Sequence, residues 1–139
     1  VDLDGILRAG VGPSWASLSP AQQGSLKAAF QHYSIATYVW HFDDFAGERF
    51  ELYPPAAGET VVRVKIVPGK SGDETHVLGY AMCKTPAGWK VVDVTADSSV
   101  SQVVAQREEI RSLVRSSGAD GLLARLQQKT AELSGGAVR

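Results

Sequence analysis

Apolar positions along this chain change their period twice. Leu26, Phe30, Tyr33, Thr37 and Trp40 follow the three-to-four spacing of a helix, and Ile35, Tyr38, Val39 and Phe42 fill a second side of it. From Thr60 to Val67 the period falls to two: Val62, Val64 and Ile66 share one face while Arg63 and Lys65 share the other, as in a half-buried strand. Val103, Val104, Ile110, Leu113 and Val114 then return to helical spacing. Helices, then strands, then helices again predict an α+β fold, with helices gathered against a curved antiparallel sheet of about four strands.

Local signals set the boundaries. A short helix over Asp4–Ala9 is closed by Gly10 and Gly12, and Pro13–Leu18 adds a further turn. Ser19-Pro20-Ala21-Gln22 is a helix start: Ser19 caps free N–H groups, Pro20 suits the first helical position, and Gln22 completes a capping box. This long helix is expected to end near Asp44–Gly47. Four strands follow, at Arg49–Tyr53, Thr60–Val67, Thr75–Lys84 and Trp89–Thr95, with Pro54-Pro55 stopping the first and Thr85-Pro86-Ala87-Gly88 turning between the last two. In the third, Leu78, Tyr80 and Met82 oppose Val77, Gly79, Ala81 and Cys83. A helix over Ser98–Ser116 is broken at Gly118, and a last one from Asp120 carries Leu122, Leu123, Leu126 and Leu133 to Gly135-Gly136.

One stretch exceeds what a surface helix needs. Tyr33–Phe42 is apolar on nearly every side, where a single stripe suffices. Such a helix is either deeply buried or lines a cavity.

Composition narrows the classes. The 139 residues suit one domain, 1–139, and 44% apolar with 21% charged residues is ordinary for a globular protein. Fourteen basic against fifteen acidic residues leave a net charge of -1, which offers no electrostatic footprint for nucleic acid. The chain begins with Val, as a processed or trimmed product would; a signal peptide and an initial helix are expected to be missing from it. Its single cysteine, Cys83, cannot form an internal disulfide and reads as a small strand hydrophobe.

Little polar chemistry is assembled. His32, His41 and His76 come without HExxH, CxxC or a carboxylate-rich loop, so no metal site is expected. Asp43-Asp44 with Glu48 reads as a solvated helix end, or as a general base at a cavity mouth if burial raises a pKa. Asp93, inside an apolar strand, is expected to share a face with Trp89 and Val91. Its structural reading is an ion pair or hydrogen bond to a helix, for example to Arg107 or Arg111; its catalytic reading is an acid in an apolar pocket. Gln106–Arg111 reads as a solvated face with paired charges around Glu108, or as a docking or headgroup-contacting surface.

An ordered set of segments carries a resemblance. It runs through Val11-Gly12-Pro13-Ser14-Trp15, Leu18-Ser19-Pro20-Ala21-Gln22-Gln23, Phe45-Ala46-Gly47-Glu48-Arg49-Phe50-Glu51, Gly88-Trp89-Lys90-Val91-Val92-Asp93-Val94 and Gly118-Ala119-Asp120-Gly121-Leu122-Leu123. Together they resemble the toluene-tolerance/MlaC family of periplasmic lipid-binding proteins. Val100–Arg107 and Leu133-Ser134-Gly135-Gly136 are most similar to its hopanoid-biosynthesis-associated branch, HpnM. In the segment after the fourth strand, where the family often has a glycine, this chain has Asp97-Ser98-Ser99. The resemblance implies an NTF2-like α+β fold enclosing an apolar cavity and no cofactor. It also implies a periplasmic carrier of hopanoid or phospholipid tails between inner- and outer-membrane components, with an inner-membrane lipid transporter as partner.

The expected lining follows from the faces: Phe30, Tyr38, Val39 and Phe42 of the long helix toward Val62, Val64, Ile66, Leu78, Tyr80, Met82 and Val92 of the strands. Alternatively the Phe30/Tyr33/Thr37/Trp40 stripe packs on the C-terminal helices, leaving Tyr38, Val39 and Phe42 for the ligand. Two other functions compete with the carrier: an enzyme of the same cone-shaped class using Asp93 or Asp43, and an interaction domain with a fully packed interior.

Overall fold

Strand register and helix packing both follow from the periodicities above. The computed structural model describes residues 1–42, 46–97 and 100–137. The Asp43-Asp44 pair, Ser98-Ser99 and the side chains of His41 and Phe42 lie outside the described residues. The chain forms two compact units: a sheet unit, Val1–Asp2 with Phe45–Ala105, and a helical unit, Leu3–Asp44 with Gln106–Arg139.

The helical unit holds α1 (Leu3–Val11), a 3-10 turn (Gly12–Ser17), α2 (Pro20–Phe42) and, from Gln106 onward, α3 (Gln102–Ser134). The capping box at the start of α2 forms as expected. The Gln22 amide donates to Ser19 Oγ at 3.2 Å, and the Ser19 amide donates to Gln22 Oε1 at 3.0 Å. Gln23 Nε2 then reaches back to the Trp15 carbonyl at 2.9 Å, fixing the 3-10 turn against the helix.

Each helix contributes to one core: Ile6, Leu7 and Val11 from α1, Leu26, Ala29, Phe30 and Ala36 from α2, and Ile110, Leu122 and Leu126 from α3. Gly10 lets α1 approach α3, since a Cβ there would stand 2.8 Å from Ile110. The expected break at Gly118 is present: α3 is two helical segments joined at a kink there. Gly118 adopts φ 68°, ψ -171°, a conformation essentially restricted to glycine. Across the bend, Lys129 Nζ pairs with Glu109 Oε1 at 2.6 Å. At the end of α3, Gly135 and Gly136 take positive φ, and the Gly136 amide donates to the Ala131 carbonyl at 3.1 Å.

The sheet unit is an antiparallel meander in the order β1 (Arg49–Tyr53), β2 (Val61–Val67), β3 (His76–Thr85), β4 (Gly88–Ala96), β5 (Val100–Ser101). Four strands match expectation to within a residue. The fifth corrects it: Val100 and Ser101 pair with Ala96 and Thr95 instead of opening the helix. The helix starts at Gln102 because Ser101 is its cap, with Oγ accepting the Val104 amide at 3.0 Å.

The β3–β4 ladder contains a bulge. Ala81 pairs with Asp93, but the next pair is Met82 with Val91, so Val92 is the extra residue. This corrects the face assigned to Asp93. The bulge puts Val91 and Trp89 on the side of Met82, whereas Asp93 stays with Ala81 on the other side. Simple alternation does not survive an inserted residue. Among the described residues, no helix is long and apolar enough to cross a membrane.

Candidate functional site

The sheet has one apolar face. Register aligns Phe50 with Ile66 and Leu52 with Val64, then Val64 with Leu78 and Val62 with Tyr80, then Tyr80 with Val94 and Met82 with Val91. Cross-strand neighbours share a face, so these side chains form one continuous apolar surface from β1 to β4. All six strand residues expected from β2 and β3, namely Val62, Val64, Ile66, Leu78, Tyr80 and Met82, lie on it, and Val92 sits at its bulge. None of them is buried: each is intermediate in exposure, and Phe50 and Leu52 are 55% and 68% exposed. Sequence reasoning left out Phe50, Leu52, Trp89 and Val94. Phe50 and Leu52 show in the Arg49–Tyr53 alternation, but Trp89 is legible only once the bulge is known.

The opposite face is mixed, with Val61, Val67, Val77 and Ala81 beside charged side chains. Glu51 faces Lys65, with 3.9 Å between carboxylate and ammonium, and Arg63 pairs with Glu59 at 3.2 Å. Tyr53 donates its hydroxyl to Glu51 at 2.9 Å, and that bond to a carboxylate raises the phenol pKa above its ordinary value. Cys83, expected to pack as a strand hydrophobe, is exposed on this face opposite Lys90.

In the helical unit α2 divides along its length. Phe30, expected among the ligand-facing residues, is instead 1% exposed and lies with Tyr33 against Ile110, Leu113, Leu122 and Leu126. The void among these residues is about 10 Å³, the lower limit for one water. Two turns later the helix opens: Ile35, Tyr38, Val39 and Trp40 are 45%, 49%, 54% and 59% exposed. Thus the stripe that starts at Phe30 packs on α3 through Phe30 and Tyr33 and is 59% exposed at Trp40. A depression of about 230 Å³ lined by Ala21, Gln22, Ser25, Leu26, Ala119, Asp120 and Leu123 is below the usual range for a drug-sized ligand.

The acid in the strand is occupied. Asp93 Oδ2 accepts Ser101 Oγ at 2.6 Å, and Oδ1 accepts the amides of Val94 at 2.7 Å and Val103 at 3.3 Å. The structural reading therefore holds with different partners: Asp93 accepts the free Val103 N–H at the start of α3, and Arg111 pairs with Glu108 at 2.8 Å. At the far end of β4, Asp97 accepts the Val77 amide at 2.9 Å and faces His76 Nδ1 at 3.1 Å. The amide bond first and His76 second hold its carboxyl below the usual carboxylate range. Asp97 takes φ 49°, a left-handed conformation that glycine adopts most easily. Among the described residues no three His, Cys, Asp or Glu side chains converge as metal ligands would.

Residues 1–128 match the family model described as MlaC protein. A solved structure of a phospholipid-binding protein from Ralstonia solanacearum, in complex with a phospholipid, is similar to this chain with a TM-score of 0.73. The two are 25% identical over 96% of this chain and 75% of that one.

Proposed function

The chain belongs to the MlaC family, and we propose that it is a lipid carrier that works as one lipid-binding domain and holds acyl or polycyclic lipid tails on its apolar surfaces. The observation that carries this reading is the sheet face: a continuous run of large apolar side chains of which none is buried. Leaving that much apolar area open costs stability, at about 25 cal/mol per Å². Lipid tails recover this energy, since each buried methylene contributes about 0.8 kcal/mol. Val62, Val64, Ile66, Leu78, Tyr80, Met82 and Val92 contact the tails from the sheet. On α2, Tyr38 and Val39, with Phe42 as a sequence-based assignment, are the proposed lipid-contacting residues.

Binding is proposed without catalysis. Asp93, the best candidate for a general base, already accepts three hydrogen bonds, two of which, from Ser101 and Val103, hold the start of α3. The phospholipid in the related Ralstonia protein supports a phospholipid cargo. The likeness of Val100–Arg107 and Leu133–Gly136 to the HpnM branch supports hopanoid. The family supports a periplasmic location, exchange with an inner-membrane lipid transporter, and shuttling toward the outer membrane.

Lipid extraction and native mass spectrometry of protein purified from its own host test the reading. A stoichiometric lipid adduct is expected, and Val64→Asp or Tyr80→Asp should lose it while the far-ultraviolet spectrum is retained. Protein that neither carries nor accepts any lipid overturns the proposal.

A further inference from the structure

Two ionisable side chains stand on the apolar face, at opposite ends of β3: His76, held by Asp97 at 3.1 Å, and Lys84. The inserted residue of the bulge is on β4, so the alternation of β3 is intact, and Leu78, Tyr80, Met82 and Lys84 share a side. Lys84 is exposed and its cross-strand partner is Trp89, itself 59% exposed. Arg63 and Lys65 on the opposite face have carboxylate partners, but Lys84 makes no ion pair among the described residues. The hairpin carrying this pair is braced, with Thr85 Oγ1 donating to the Gly88 carbonyl at 2.7 Å.

A cation beside an amphipathic ring, at the end of an apolar strip, is the arrangement found at headgroup level in membranes. The dimensions agree. Six residues of strand separate Lys84 from Leu78, about 20 Å. One leaflet of bilayer hydrocarbon, half of the core, is about 15 Å deep. A tail laid along β3 with its headgroup at Lys84 therefore ends between Tyr80 and Leu78, wholly over apolar side chains.

We propose that Lys84 binds the phosphate of a lipid headgroup, so that the preferred cargo is an anionic phosphodiester lipid rather than a neutral one. This rests on the carrier reading and narrows it. Inorganic phosphate offers the same charge chemistry without tails, so the test separates the two.

Phosphatidylglycerol and diacylglycerol of matched chains are titrated into delipidated wild type, Lys84→Gln and Lys84→Arg. Wild type is expected to prefer phosphatidylglycerol, Lys84→Gln to reduce that preference about three- to tenfold, and Lys84→Arg to keep it. Excess inorganic phosphate should leave phosphatidylglycerol bound. A wild type without preference, an unchanged preference in Lys84→Gln, or a lost preference in Lys84→Arg overturns the assignment and leaves the carrier reading standing. Displacement of phosphatidylglycerol by inorganic phosphate overturns it in favour of a free anion. A wild type that takes up neither lipid overturns the carrier reading with it.

Discussion

Ser101 Oγ donates to Asp93 Oδ2 at 2.6 Å, and the same carboxylate receives the Val103 amide from the first turn of α3. One side chain thus ties the middle of β4 to a helix start. Asp93→Ala leaves that turn with an unmet N–H and frees the Ser101 hydroxyl. It is expected to destabilise the protein by about 2 kcal/mol. Asp93→Asn keeps one acceptor and is expected to cost about half as much. Urea denaturation of the two variants checks the order, and equal stability of Asp93→Ala and wild type contradicts the role.

Gly10 touches Ile110 so closely that a methyl group has no room. Gly10→Ala is expected to cost roughly 1–3 kcal/mol through overpacking. Ile110→Val removes part of the obstruction, so the double variant should lose less than the sum of the singles. Thermal melts of the four proteins give the coupling energy. Simple additivity would show that the contact relaxes without strain.

Gly118 holds a backbone conformation that a side chain resists. Gly118→Ala is expected to cost about 1–3 kcal/mol and to disturb the Glu109–Lys129 pair across the bend. In the variant, Lys129→Ala should then have a smaller effect than it has in wild type, a difference that paired urea titrations measure.

Asp97 makes stability depend on pH with a defined sign. Its folded pKa lies below the ordinary 3.8, so the unfolded chain takes up the proton first as pH falls. The contribution is present in full above the unfolded value and is lost as pH falls through the folded one. The stability gap between wild type and Asp97→Asn is therefore expected to shrink as pH drops below about 4. Melts from pH 6 to pH 3 follow it, and a gap independent of pH contradicts the assignment.

Much of this fold was legible because local chemistry and periodicity agreed. Ser19-Pro20-Ala21-Gln22 announced the start of α2, and the Val62/Val64/Ile66 alternation announced both a strand and its apolar side. The failures have physical causes. Helical spacing placed Phe30 and Tyr38 on the same over-apolar helix, but only tertiary packing buries Phe30 and leaves Tyr38 open. Apolar content alone does not choose between these outcomes. For Asp93 the sequence left a structural and a catalytic reading open, with Arg107 or Arg111 as example partners of the first. A backbone amide at a helix start satisfies a carboxylate as well as a guanidinium does, and carries no residue-type signature.

The bulge at Val92 has a consequence for how β4 can change over time. On its Trp89–Val91 side the strand adds to the apolar face, and on its Asp93 side it supplies the anchor of α3. Both assignments depend on one count of residues between them. A substitution here alters a single contact, but gaining or losing a residue exchanges the two faces, sending a carboxylate into the apolar surface or an indole out of it. The strand is therefore permissive toward side-chain size and intolerant of length, and descendants of this sequence should vary here by replacement and not by insertion or deletion.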